Sequence, residues 1–172
     1  MVSKQKTNLG ILSLMKEAIM QKLVNDTDSM KIIANEEGIS TPAVNALYNT
    51  IFPWKKTIGT TTDNKTYVSI EIEVPGAINC AVKAYYVHIY LMVHDSLMRF
   101  DKNVAASLGI DERGTRLDVL CDKIDWLMNG SLDLGFDKVE LKRCPTFEPA
   151  DGYHGRMLEY YVEGWNRWGE KL

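Results

Sequence analysis

The fold of this chain is decided by Val82 to His94, which reads Val-Lys-Ala-Tyr-Tyr-Val-His-Ile-Tyr-Leu-Met-Val-His. The stretch contains no Gly, Pro, Asn or Asp and is rich in Val, Ile and Tyr, a composition typical of a β-strand. Successive side chains of a strand point to opposite faces. One face is uniformly apolar and is predicted to lie on the core: Tyr85, Val87, Ile89, Leu91 and Val93. The other is predicted to be partly wet: Tyr86, His88, Tyr90, Met92 and His94.

The length of this strand is a second prediction. At roughly 3.3 Å per residue it spans about 40 Å, well beyond the usual five or six residues. We therefore expect it to project beyond its own domain, so that another element has to cover it.

The composition indicates a globular protein. A chain of 172 residues is enough for a single domain, 1–172, with a sizeable core. Its 45% hydrophobic and 25% charged residues argue against disorder, and its net charge of −3 argues against a nucleic-acid-binding domain. We find no apolar run long enough for a membrane span and no cleavable signal pattern.

The N-terminal part, residues 8–53, is predicted to be helical after a loose segment at 1–7. Apolar residues at three- and four-residue spacing predict a first helix from Asn8 to about Asn25. A second, shorter helix is predicted from Asp28 or Ser29 to Gly38. Ser40-Thr41-Pro42 predicts the start of a third, with Val44, Leu47, Tyr48 and Ile51 on its inner stripe and its end at Pro53.

Residues 66–165 are predicted to form a sheet-plus-helix core, followed by a tail at 166–172. Alternation in Tyr67–Val74 predicts a strand that forms a first hairpin with the long strand. Weaker alternation in Asp137–Cys144 and strong alternation in Arg156–Trp165 predict a second hairpin. Residues 95–112 show no hydrophobic periodicity of a helix or a strand and are interpreted as a long loop.

A helix over Thr115–Met128 is predicted from an unbroken stripe of Leu117, Leu120, Cys121, Ile124 and Leu127. Arg116, Asp118, Asp122, Lys123 and Asp125 are assigned to its outer face. The order of elements predicts an α+β fold: N-terminal helices and an antiparallel mixed sheet of two hairpins, with helix 115–128 packed on one face.

The histidines do not form a predicted metal site. His88 and His94 share a strand face but lie about 20 Å apart at the usual rise, too far for one zinc ion with ligands about 2 Å away. His154 belongs to a distant turn. Partly buried structural histidines are the better interpretation, and no metal or cofactor is predicted.

A nuclease-like arrangement is an alternative. Glu140 and Lys142 have the Glu-x-Lys spacing that places an acid and a lysine on one strand face, and Asp137, Glu71 or Glu73 could add a carboxylate for a divalent ion. The spacing is also common on solvated strand faces, where it forms cross-strand charge pairs. We prefer this second interpretation.

Nucleophilic catalysis has no support in the sequence. Cys80, Cys121 and Cys144 are far apart, form no Cys-x-x-Cys pair and have no His nearby. We interpret them as reduced, mostly buried and inert thiols of a cytosolic product. With no Gly-x-Ser-x-Gly motif or Gly-rich phosphate loop, no catalytic residue is predicted and the protein is not expected to be an enzyme.

Aromatic and apolar side chains remain that one domain need not bury: Trp54, Tyr86, Tyr90, Met92, Trp165 and Trp168. Exposed patches of this kind mark protein interfaces. They could equally fill an ordinary core.

Most of residues 20–165 resembles the tail-terminator and head–tail joining (neck) proteins of tailed bacteriophages. Lys22-Leu23-Val24-Asn25-Asp26, followed by Met30-Lys31-Ile32-Ile33, is similar to the openings of such proteins. Thr50-Ile51-Phe52-Pro53 resembles their helix-ending Ile-x-Pro. The stretch from Arg113 to Gly130 is similar to their Arg-containing helix with its closing Asn-Gly. The chain departs from the pattern in the 95–112 loop.

This resemblance implies a virion protein that assembles in the bacterial host cytoplasm as a homo-oligomeric ring, expected to be a hexamer. Such a ring lies between the tail tube protein and the head connector or stopper protein, and DNA passes through its channel without specific binding. The acidic balance fits a lining over which DNA slides. The expected subunit or partner contacts are Tyr86, His88, Tyr90, Met92, Arg99, Phe100, Trp165 and Trp168. The alternative of a monomeric cytosolic adaptor, which binds one partner through the aromatic face, stays open.

Overall fold

The computed structural model describes residues 8–59, 64–76, 78, 82–110, 114–132, 134 and 138–165, with the backbone alone at 8, 9 and 165. Its centre is a mixed sheet of six strands in the order β1-β2-β3-β6-β4, with β5 also paired to β6. The strands are β1 (Ile51–Phe52), β2 (Thr66–Glu73), β3 (Val82–His94), β4 (Glu140–Arg143), β5 (Thr146–Phe147) and β6 (Tyr153–Trp165). The helices are α1 (Asn8–Asn25), α2 (Thr27–Ala34), α3 (Lys102–Leu108) and α4 (Arg116–Met128). The α+β prediction is confirmed.

The long strand has the predicted bounds, but it does not project. It pairs with β6 along its whole length, from Val82 opposite Trp165 to His94 opposite Tyr153. On its other side it pairs antiparallel with β2, from Val93 opposite Thr66 to Tyr86 opposite Glu73. The expectation of a projecting strand is wrong because β6 begins at Tyr153, three residues before the predicted start, and is equally long.

The apolar face of β3 lies on the main core, as predicted. Val87, Ile89, Leu91 and Val93 are fully buried against helices α1, α2 and α4. The same apolar layer continues onto the two neighbouring strands, with Val68 and Ile70 on β2 and Leu158, Tyr160 and Val162 on β6. Helices α1, α2 and α4 therefore cover one face of the sheet, and its other face points away from them.

The first two helices are confirmed, but the third is wrong. Helix α2 is capped by Asp26, whose side chain accepts a hydrogen bond from the Ser29 amide, and it ends at Asn35 in the left-handed conformation, before the predicted stop at Gly38. Instead of a third helix there is one 3₁₀ turn, Val44–Ala46. The turn ends at Leu47, which is extended, Tyr48 then adopts a positive φ of 61°, and Ile51–Phe52 pairs in parallel with β2.

The segment 95–112 is not a structureless loop. It contains a 3₁₀ turn, Asp95–Leu97, and helix α3. The Asp101 side chain caps α3 by accepting a hydrogen bond from the Asn103 amide, and Gly109 ends it with φ 65°. These are ordinary helix start and stop residues, and a helix of only two turns gives too short a pattern for periodicity to reveal.

Helix α4 begins one residue later than predicted, after the Thr115 cap. Its predicted apolar stripe faces the core, but Arg116 does not belong to the outer face. Arg116 is fully buried, and its Nη2 donates a hydrogen bond to the Thr66 hydroxyl of β2. Asp118 and Asp122 are exposed as predicted.

The second hairpin is more complex than predicted. Strand β4 covers only Glu140–Arg143, and a separate strand, β5, continues along β6, so that two short strands share one long partner. No described helix combines the length and hydropathy that a bilayer crossing requires.

Candidate functional site

The sheet face that points away from the helices, here named the open face, is the candidate site. It is built from alternate residues of β2, β3 and β6, because strand side chains alternate. These residues are Tyr67, Ser69, Glu71, Glu73, Tyr86, His88, Tyr90, Met92, Met157, Glu159 and Tyr161. The face divides into a covered end and an uncovered end.

The covered end is closed by the chain that follows β1. The Lys56 amide donates to the Ser69 hydroxyl at 3.2 Å, and Ile58 packs against Tyr67 and Met92. Met92 is only 2% exposed as a result. This end of the face is a small second core and offers little surface to a partner.

The uncovered end carries a fixed charge network. Glu159 accepts hydrogen bonds from Arg143 Nη2 at 2.8 Å and shares one with His88 Nε2 at 3.0 Å. Glu71 lies opposite His88 on β2, so acidic and basic side chains alternate across four strands. The hydrogen bond from Arg143 holds the pKa of Glu159 below its ordinary range, with burial opposing and His88 reinforcing. Glu159 is therefore ionised at neutral pH.

Tyrosines surround this network. Tyr86 and Tyr161 meet edge to face with ring centroids 5.6 Å apart. Tyr90 is held by Phe147 at 5.7 Å and by Lys55 Nζ, which lies 4.8 Å from its ring centroid. Burial first, and then the negative charge of Glu71, raises the pKa of Tyr90. The rings are thus fixed before any partner binds, which lowers the entropy cost of association.

The structure brings together only part of the predicted contact set. Tyr86, His88, Tyr90 and Met92 lie on the open face, whereas Phe100 packs against the main core on the helical side of the sheet. Arg99 is exposed beside Phe100. The Trp165 side chain and all of Trp168 lie outside the described residues.

The residues considered for a nuclease-like site do not lie together in one place. Glu140 and Lys142 are exposed and form an ion pair at 2.9 Å, and that contact is the main reason that the pKa of Glu140 is lowered. Glu71 and Glu73 lie on β2, three strands away, or about 14 Å at the usual strand spacing. Asp137 lies outside the described residues, which contain no group of three potential metal ligands.

The contacts of the described histidines and of Cys121 are those of residues with a structural role. His94 hydrogen-bonds Ser96 at 2.8 Å and His154 pairs with Asp95 at 2.7 Å. Cys121 faces the core as predicted, and burial raises the pKa of its thiol to about 12. A protonated thiol is a poor nucleophile. Cys80 lies outside the described residues.

Two exposed surfaces differ from the sequence prediction, although Trp54, in the first of them, was among the side chains expected to stay unburied. Tyr48, predicted on an inner helical stripe, is 61% exposed and stacks on Trp54. Trp126 of α4 is 74% exposed above a groove. Trp126 stands between the acidic residues of the predicted outer face, a position that could have signalled an exposed ring.

Comparison with known proteins gives a family match over residues 8–162, to the family model described as YomW. That range contains every described helix and strand except the last three residues of β6. No curated protein matches the chain. The chain is also similar to one chain of a solved structure described as "Virion of native gene transfer agent (GTA) particle", at 8% identity and a TM-score of 0.49, covering 87% of this chain and 93% of that one.

Proposed function

Since the chain belongs to the YomW family, we propose that it is a structural protein of a phage-type virion. In this proposal it forms a ring at the head–tail interface that ends the tail tube, joins it to the head connector, or does both. The resemblance of residues 20–165 to neck proteins supports this role. The protein is then a virion component, with no catalytic residue or cofactor assigned to it.

The observation that carries the proposal is the uncovered end of the open face. It combines partly exposed tyrosines with a hydrogen-bonded row of charges, both held in place by strands β3 and β6. Rigid aromatic side chains with polar neighbours are typical of protein interfaces. We propose that Tyr86, His88 and Tyr90 contact the next protein along the virion axis, the tail tube or the connector.

The proposed ring surrounds the DNA channel and is expected to be a hexamer. The net charge of −3 supports a lining that lets DNA pass, because lysine and arginine contacts to phosphates would hold it. A closed ring requires a heterologous contact, in which two different surfaces of one subunit meet on adjacent copies.

Deleting the gene from a phage or strain that carries it tests the proposal. We expect electron microscopy to show DNA-filled heads and tail tubes that are not joined, or tubes of uncontrolled length. Complementation with the natural gene should restore joined particles, and Tyr90→Asp, which places a charge at the centre of the proposed contact, should not.

A matched control is Glu36→Lys, a charge change in the exposed segment after α2, which should restore joining. Joined particles of normal length in the deletion strain would contradict the proposal. A folded, monomeric protein with one saturable partner would favour the adaptor alternative.

A further inference from the structure

A groove runs along the solvent side of α4 and has an apolar floor. Its volume is about 830 Å³, and α2 and the end of α3 contribute to its walls. The apolar lining comprises Ile32, Leu108, Ile110, Val119 and Trp126. Trp126 is 74% exposed at the rim, a large apolar ring that the described residues leave largely uncovered. Such a surface is typical of a contact site.

The rim of the groove is acidic. Its lining includes Lys123 and four acidic residues, Asp28, Asp118, Asp122 and Asp125. Lys123 is already bound by Asp26 at 3.3 Å and Asp28 at 3.2 Å, and its Nζ lies 4.7 Å from the Trp126 ring centroid. Asp118 is likewise paired with Arg156 Nη2 at 2.8 Å, and the exposed carboxylate of Asp122 is the acidic group that a positively charged apolar ligand would meet.

A surface of that chemistry lies at the β1 edge of the sheet. Here named the β1 patch, it consists of Val44, Tyr48, Trp54 and Lys55, and the first three are 53%, 61% and 49% exposed. Tyr48 and Trp54 stack with centroids 5.9 Å apart, and the buried Phe52 ring meets Trp54 edge to face at 5.4 Å. Lys55 follows Trp54 in the chain and is exposed, with its Nζ 4.8 Å from the Tyr90 ring centroid, and Lys16 Nζ donates a hydrogen bond to the Pro53 carbonyl at 2.7 Å. The stacked rings are thus preorganised and have lysine side chains close to them in the fold.

We propose that neighbouring subunits meet by seating the β1 patch of one copy in the α4 groove of the next. The inference rests on the proposed ring and names its subunit contact. The two surfaces occupy different parts of the molecule, because β1 forms one edge of the sheet while α4 packs over β3 and β6. They complement each other in charge and in apolar character. A contact between two different surfaces of the same chain is the kind that closes a ring.

Charge reversal in both surfaces tests this assignment. We expect Asp122→Lys and Lys55→Glu each to weaken assembly about tenfold or more, because each places like charges across the contact. The double variant Asp122→Lys/Lys55→Glu should assemble again. An equimolar mixture of the two single variants should also assemble, since each groove then meets a patch of opposite charge and the two chains alternate around the ring.

The readout is the oligomer mass of the full chain by native mass spectrometry over a dilution series, with circular dichroism as the check of folding. Trp54→Ala and Trp126→Ala should each weaken assembly too. Leu14→Ala and Glu17→Lys remove an exposed apolar residue and reverse an exposed charge on α1, and should leave assembly unchanged.

The result that overturns the assignment is a wild-type oligomer that folded Asp122→Lys and Lys55→Glu leave intact, or single variants that neither the double variant nor the mixture restores. In either case the proposed ring itself would not be contradicted, but its subunits would have to meet through another contact. A wild-type chain that stays monomeric throughout the dilution series would overturn the ring itself, and this contact with it.

Discussion

At the scale of single residues, Arg116 differs most from its sequence prediction. A charged residue in the first turn of a helix is ordinarily solvated, yet Arg116 is fully buried and hydrogen-bonded to Thr66. Its Nε and Nη1 atoms have no hydrogen-bond partner among the described residues. The sequence could not reveal this, because the environment of Arg116 is created by β2, fifty residues earlier in the chain.

Replacing both partners of this contact tests its energetic role. Thr66→Val should lower the free energy of unfolding by about 1–3 kcal/mol, because it removes the hydrogen-bond acceptor of a buried cation. Arg116→Met/Thr66→Val should be as stable as the natural protein or more stable by about 1 kcal/mol. Urea denaturation at pH 7 measures both. A double variant that is less stable than Thr66→Val would contradict this account.

The same residue predicts a pH dependence. Burial lowers the pKa of Arg116 to about 10, whereas the unfolded chain keeps the higher, ordinary pKa of a solvated arginine. The folded protein therefore loses this proton first, and the destabilising effect of the buried charge, complete below pH 10, decreases as the pH rises further. Any advantage of the double variant over the natural protein should shrink above pH 10 in the same denaturation experiment.

Glu159, unlike Arg116, carries a charge that stabilises the folded protein. Its pKa is lowered in the folded protein, so its stabilising effect is present above the unfolded value, near 4.3, and is lost as the pH falls through the folded value. Glu159→Gln should cost about 1–2 kcal/mol at pH 7, because it weakens the bonds to His88 and Arg143, and less in acid. Glu163→Gln, on the exposed part of β6, is the matched control with little expected effect. Equal losses at pH 7 and pH 3 would contradict the assignment.

At the scale of elements, local sequence patterns predicted the strands and helices that bury a long apolar face. The bounds of β3 and the stripe of α4 follow from alternation and from helical periodicity, and the strand β2 lies within one residue of its prediction. The prediction of a third helix was wrong. The spacing of Val44, Leu47 and Ile51 fits a helix, but the pairing of Ile51 with Val68 determines the actual conformation. Helix α3 was missed although Asp101 and Gly109 mark its ends.

The packing of β5 on β6 depends on Gly155. A Cβ there would lie 2.7 Å from the Phe147 ring and 2.9 Å from its carbonyl oxygen, and the backbone oxygen cannot move without breaking the strand pair. Gly155→Ala should therefore cost about 1–3 kcal/mol in the free energy of unfolding and increase hydrogen exchange in Thr146–Phe147. Gly38→Ala, where nothing lies within 4 Å of the added Cβ, is the control. Unchanged exchange at β5 would count against this packing.

At the scale of the whole molecule, the sequence predicted which side chains of β3 share the open face, but not that this face has a covered and an uncovered end. The alternation of β3 placed Tyr86, His88 and Tyr90 on one face, and they do lie together there. It could not show that the chain after β1 would bury Met92, nor that Arg143 would complete the bonds of Glu159. The β1 patch and the α4 groove depend on tertiary packing, because each joins residues from separate segments.

We propose that the protein forms a closed ring, and the mass of the purified oligomer distinguishes such a ring from a monomer and from an open polymer. Each subunit has a mass of 19.5 kDa. We predict one dominant species in native mass spectrometry at six times that mass, which gives way to monomers on dilution without a ladder of larger forms. A monomer at every concentration, or an open-ended series of oligomers, would contradict the closed ring.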